Sequence, residues 1–220
     1  MPFYEDLVAA TRAERAALMD VAQLRDGLAG HITAAGYVDY LTQAYHHVRH
    51  TVPLLRMARD LLGHRPLLAA ALDEYIEEEH GHERWVLTDI EAVGANAAQA
   101  ALSAPRPATA AMVRHVYESI GNINPVCVFG MVFVLEGTSV ALATRGAAAI
   151  QASLDLPDSA FTYLNSHGEL DQEHLRFFAR LMNAIDDPAD QRAIVAMARE
   201  MYRLFADLFR SIDLGVRDAA

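Results

Sequence analysis

From Val126 to Thr144 the chain is almost wholly apolar, and a single charged residue, Glu136, sits near the middle of that stretch. By length alone it could cross a bilayer. Small or polar residues interrupt it at Gly130, Gly137, Thr138 and Ser139, and basic anchors at its flanks are sparse. A helix that is apolar all round is either a membrane span or the central helix of a soluble bundle. The central glutamate and the missing anchors favour the bundle, so no membrane association is expected. Glu136 then becomes a problem that the fold must solve. An ionised carboxylate inside such a core costs several kcal/mol unless it is protonated, hydrogen-bonded, ion-paired or metal-bound.

The other long segments also carry helical periodicity, and strand-type alternation is absent. Residues 3–18 and 20–29 read as an amphipathic helix broken near Met19-Asp20. Thr33 is placed to cap a second helix running to Leu62, with a kink at Pro53. Pro66 opens a third helix that ends at Gly94. Residues 95–107 read as loop with at most one short turn, and a fourth helix covers about 108–120. Gly121 to Pro125 breaks the chain before the apolar fifth helix. Leu156-Pro157-Asp158 precedes a sixth, and Asp187-Pro188 starts the last, to about Ile212. No linker divides the chain. The expectation is an all-α fold, one domain over residues 1–220, built as a compact bundle of about seven helices.

The composition narrows function by exclusion. Of 220 residues, 53% are hydrophobic and 21% charged, a globular balance. The net charge of −11 and the lack of a Lys/Arg cluster disfavour nucleic-acid binding. One cysteine, Cys127, rules out an internal disulfide. The start of the chain lacks the basic-then-apolar run of a signal peptide, so the cytoplasm is the expected location.

Chemistry-bearing residues recur on the inward stripes. In the sixth helix His167, Asp171 and His174 fall within a sector roughly 60° wide, beside Tyr163, Leu164, Phe178 and Leu181. In the third, the inward stripe holds Tyr75, Glu79, His82 and Val86, with Glu79 and His82 spaced i, i+3. Glu78, one turn before His82, is the alternative to Glu79. Glu77 and His80 share the spacing but project outward. The fifth helix contributes Glu136. Glu79, His82, Glu136, His167, Asp171 and His174 thus supply three carboxylates and three imidazoles from three helices. Against two divalent irons the three carboxylates would leave a modest residual positive charge, and carboxylate with imidazole is a ligand set that suits iron. Structural zinc usually asks for cysteine and fits less well. Taken singly, each piece has a plainer reading: a hydrogen-bonded core pair, a solvated acidic face, or an ion pair with an arginine.

In this order and at these intervals, Glu79-x-x-His82, then Glu136, then His167-x3-Asp171-x2-His174 resembles the heme-oxygenase-like di-iron oxidases and oxygenases. The resemblance implies a heme-oxygenase-like fold and a non-heme site with two irons per chain. It implies dioxygen as co-substrate and oxidation of a small organic molecule, with fatty acids, amines and amino acids as the range of substrates. An electron donor is implied as partner, and dimerisation is common enough among such bundles to leave room for a homodimer. Some members carry a further carboxylate on the third helix, where this chain has Tyr75. Tyr75, His47 and Tyr45 are candidates to line the substrate pocket, though ordinary packing explains each of them too. The same fold serves thiaminase-like aminopyrimidine hydrolases, which would use Cys127 as nucleophile. It also serves cofactor-free oxidases such as pyrroloquinoline-quinone synthase. A heme oxygenase would need a proximal histidine on the first helix, and no histidine precedes His31.

Overall fold

A computed structural model describes residues 2–168 and 172–215, and the side chains of residues 167, 168, 172 and 173 are outside the described set. The described elements are helices: α1 (Phe3–Ala10), α2 (Arg12–Met19), α3 (Ala22–Leu28), α4 (Ala34–Val48), α5 (Thr51–Leu61), α6 (Pro66–Glu78), α7 (His82–Ala92), α8 (Ala97–Leu102), α9 (Pro107–Asn122), α10 (Val128–Leu154), α11 (Thr162–Gly168), α12 (Gln172–Asn183) and α13 (Pro188–Ser211). Short 3-10 turns at Pro125–Cys127 and Asp158–Ala160 lead into α10 and α11.

The helical class is as expected, but the segments outnumber the seven anticipated because several long helices are cut. The second expected helix breaks between Val48 and Thr51 rather than at Pro53 itself. The cause is local: the proline ring crowds the carbonyl four residues earlier, at Arg49, so the disruption falls one turn upstream. The third breaks between Glu78 and His82, where Gly81 has φ +93°, a left-handed conformation that no side-chain-bearing residue adopts cheaply. The sixth is described as α11 and α12, with residues 169–171 between them outside the described set. Caps agree with the sequence. Thr33 Oγ1 accepts from the Gly36 amide at 3.1 Å, and Asp187 Oδ1 accepts from the Ala189 amide at 2.7 Å. The short turn in 95–107 is α8, capped by Asn96.

The apolar α10 is the axis of the bundle, packed by α11, α13 and α3. It is the one helix among the described residues long and apolar enough to cross a membrane, and half of its apolar window is buried inside the protein. Phe129, Val128 and Val134 are fully enclosed, with Tyr37, Leu41, Leu55, Leu72, Val86 and Ile194 around them. Each such side chain contributes about 1.5–3 kcal/mol by leaving water. Gly130 allows the closest approach: a Cβ there would overlap the Ile194 carbonyl and crowd the Ala198 amide of α13.

Two contacts fix the start of α11. The Asp89 carboxylate of α7 accepts from the amides of Thr162 and Tyr163, at 3.1 and 2.9 Å. The Tyr37 hydroxyl of α4 donates to the Ala160 carbonyl at 2.9 Å. Asp89 has no exposed surface, so these amides are satisfied by protein and not by water.

Candidate metal centre

The break after α6 sets the geometry of the site. Glu79 and His82 were expected on one continuous helix; they flank the Gly81 turn instead. They still meet, with Glu79 Oε2 3.1 Å from His82 Nδ1. Trp85 stacks on the His82 ring at 4.1 Å between centroids and holds its plane. Glu78, on the last turn of α6, reaches α12, where its Oε1 lies 3.0 Å from His174 Nε2. Each carboxylate thus meets a different imidazole. Glu77 and His80 are exposed, as the helical frame predicts.

Glu136 projects from α10 into a cavity of about 50 Å³. Glu79, Tyr75, His47, Thr51, Ser139 and Tyr163 supply the rest of the polar part of its wall, and Leu55, Met131, Val132 and Leu135 contribute apolar wall. Burial, and then the nearby Glu79 and Glu78 carboxylates, push the Glu136 carboxyl well above the ordinary range. The Glu78 carboxyl is also raised, by burial first, against the pull of His174. Burial and the Glu136 carboxylate raise the Tyr75 hydroxyl, which stays a protonated donor. Three neighbouring carboxylates, Glu136 and Glu79 largely withdrawn from water and Glu78 partly so, make a site whose charge a cation would relieve.

The arrangement stops short of a closed ligand cage. Among the described residues no three His, Cys, Asp or Glu side chains converge as they stand on one ion. The structure brings together Glu78, Glu79, His82, Glu136 and His174. Asp171 and the side chain of His167 lie outside the described set; the His167 backbone belongs to α11, whose start Asp89 anchors.

The candidate pocket residues divide. Tyr75 and His47 line the cavity, and His47 meets Phe205 edge-on. Tyr45 does not line it. Two residues along a helix is a rotation of about 200°, so a helix that turns His47 inward turns Tyr45 away. Tyr45 packs under the Arg49 guanidinium instead, 5.4 Å from ring centroid to Cζ. Cys127 is buried at the foot of α10, and burial pushes its thiol up to about 12. Sequence reasoning missed Asp89 as a polar residue among Val86, Ile90 and Val93 on the inward face of α7. It missed Tyr163 and Ser139 as cavity walls: Tyr163 read as part of an apolar stripe and Ser139 only as a polar interruption of α10.

Comparison with known proteins places this geometry. The family model of iron-containing redox enzymes matches residues 38–206. Comparison with curated proteins returns no match. Among solved structures, a domain of unknown function with a heme oxygenase-like fold from Shewanella denitrificans OS217 superimposes with a TM-score of 0.83 at 22% identity, covering 95% of this chain and 90% of that one. A TenA homologue from Pseudomonas syringae pv. tomato gives 0.80 at 11% identity, covering 97% and 93%. Heme oxygenase-1 from Synechocystis, solved with heme, gives 0.75 at 14% identity, covering 95% and 91%. At these identities the structures establish a heme-oxygenase-like fold and nothing finer.

Proposed function

The chain belongs to the iron-containing redox enzyme family, and from that premise we propose that it is a non-heme di-iron oxidase or oxygenase acting on a small organic substrate. The observation that carries this reading is the buried Glu136 carboxyl, which shares a cavity wall with Glu79 and feels the charge of Glu79 and Glu78, each of them paired with an imidazole, His82 and His174. The donor set fits iron: oxygens from carboxylates that crowd one another, and imidazole nitrogens already aimed at them. Glu79, His82, Glu136 and His174 would hold the metal together with His167 and Asp171, and Glu78 would serve as a further ligand or bridge. Iron in that position would supply reduction of dioxygen, with electrons from an external donor.

The remaining work falls to this chain's own groups. Leu55, Met131, Val132 and Leu135 keep bulk water from the cavity, which strengthens the electrostatics inside it. Burial keeps the Tyr75 and Tyr163 hydroxyls protonated, so both can donate to an oxygen-bearing substrate. His47, on α4, lines the same cavity and brings an imidazole to it.

The hydrolase alternative asks Cys127 to act as a thiolate. Its thiol is buried, raised to about 12, and does not line the carboxylate cavity. A paired experiment separates the readings. His174→Ala should lose ferrous iron binding under anaerobic conditions while Cys127→Ser retains it. The opposite pattern, with aminopyrimidine hydrolysis abolished by Cys127→Ser, would overturn the oxidase reading.

A further inference from the structure

A second cavity, of about 90 Å³, lies beside the carboxylate chamber. Its walls come from α3, α4, α10, α11 and α13, and it shares Ser139, Tyr163 and Phe205 with the first. Those three side chains form the partition between the chambers. One face of α10 runs along both: Glu136, Ser139, Ala143 and Gly146 fall within a sector roughly 80° wide. The helix that presents the carboxylate to one chamber therefore floors the other.

Among the described residues the wall of the second chamber has no Asp, Glu, Lys, Arg or His. An ionised group finds no oppositely charged partner among them. Its hydrogen-bonding groups are Gln23, Tyr40, Thr138, Ser139 and Tyr163. Tyr40, Phe209 and Phe205 make an aromatic wall, stacked at 6.1 Å and tilted at 4.8 Å between successive centroids. Opposite, Gly27 of α3 borders the space, and a Cβ built there meets nothing within 4 Å. Alanine at such a helical position would be more favourable by about 0.5–1 kcal/mol, so the open volume is held at some cost in helix stability.

We infer that this chamber receives the non-reacting body of the substrate, a neutral hydrocarbon group, whose polar reacting end passes Ser139 and Tyr163 toward Glu136. The inference rests on reading the carboxylate chamber as the reaction site and adds the substrate class. An apolar cavity of about 150 Å³ takes up benzene; this chamber is smaller, about 90 Å³, and opens on one side, so a small aromatic hydrocarbon probes its apolar wall. Among the described residues an ionised tail has no oppositely charged partner in that wall.

The test uses toluene as probe on the full chain, by calorimetric titration and by anomalous scattering from crystals soaked in iodobenzene. The expected result is one toluene per chain and one iodine peak between Ala143, Phe205 and Phe209. Ala143→Leu and, independently, Gly27→Leu should each weaken toluene binding at least tenfold while circular dichroism and iron loading stay at the wild-type level. Gly27 is half-exposed on α3, so its variant stays informative if filling the α10 side disturbs folding. Absence of toluene binding to the wild type, or equal binding by both variants, would overturn the inference. Iron is measured on the same samples. Iron without toluene defeats this inference alone, whereas toluene without iron defeats the oxidase reading on which it rests.

Discussion

Replacing Asp89 with Asn changes one oxygen to an amide nitrogen and leaves volume unchanged, yet it should loosen the helix that carries His167. Asp89 has no exposed surface and accepts from two α11 amides, at 3.1 and 2.9 Å. Asparagine can accept from one of them through Oδ1. Its NH₂ then faces the other amide donor to donor. The lost charge-assisted bond is worth about 1.5–3 kcal/mol, and the stranded buried amide adds its own desolvation penalty. Relief of a buried charge offsets part of this, because burial outweighs the hydrogen bonds and raises the Asp89 carboxyl. The net loss is about 1–3 kcal/mol, which for a chain of this length lowers Tm by roughly 3–10 °C. Asp89→Ala removes both acceptors and should cost more. Because α11 also bears a proposed ligand, ferrous iron affinity should fall about 10–100-fold, the usual scale for a supporting residue behind a ligand. Thermal melts of the metal-free protein and anaerobic iron titrations measure the two effects. A Tm within about 1 °C of wild type, together with unchanged iron affinity, would refute the idea that Asp89 anchors the site.

Glu136→Gln should keep or raise metal-free stability, by about 0–2 kcal/mol, because it removes a carboxylate that the core disfavours; iron loading should fall at least tenfold, and an unchanged load would exclude Glu136 as a ligand. His46 is buried, hydrogen-bonded to Ser103 at 2.9 Å, and held below its ordinary range by burial and then by Arg49 and His50. The unfolded chain therefore binds a proton that the folded chain refuses, so stability is full above about pH 6.5 and declines as pH falls through the lowered folded value. His46→Gln should make that decline shallower in melts between pH 5 and 8, with the residual slope from His50, which is lowered for the same reasons; an unaltered slope would contradict this. Gly130→Ala puts a methyl group into the Ile194 carbonyl and should cost about 1–3 kcal/mol by forcing α10 from α13. A chemical melt with an unshifted midpoint would refute it.

Much of this was legible in residue order because the informative signals are local. Thr33 and Asp187 cap helices through atoms within three residues of themselves, and the inward faces of α6 and α10 follow from their 3.6 period. The breaks were harder to place. Pro53 acts on a carbonyl four residues away, so its effect appears at Arg49. Gly81 leaves the periodicity of Tyr75, Glu79, His82 and Val86 nearly intact, so the pattern hides a turn that changes which partner each glutamate meets. Glu78 reaches His174 only because α12 comes back past the end of α6, a tertiary fact absent from either segment. Asp89 and Ser139 were unremarkable for a similar reason: their roles depend on elements more than sixty residues away or on a cavity formed by several helices. Tyr45 stands two residues before His47, about 200° away around the helix, and packs against Arg49 instead of the cavity.

The central claim is that Glu78, Glu79, His82, Glu136 and His174 form part of a two-iron site. Anaerobic ferrous titration of the purified metal-free chain, followed by gel filtration and metal analysis, tests it most directly. The account predicts two irons retained per chain, falling below one in Glu79→Ala and in Glu136→Ala while both variants remain folded. Retention of no iron by the wild type, or an iron load indifferent to both substitutions, would contradict it.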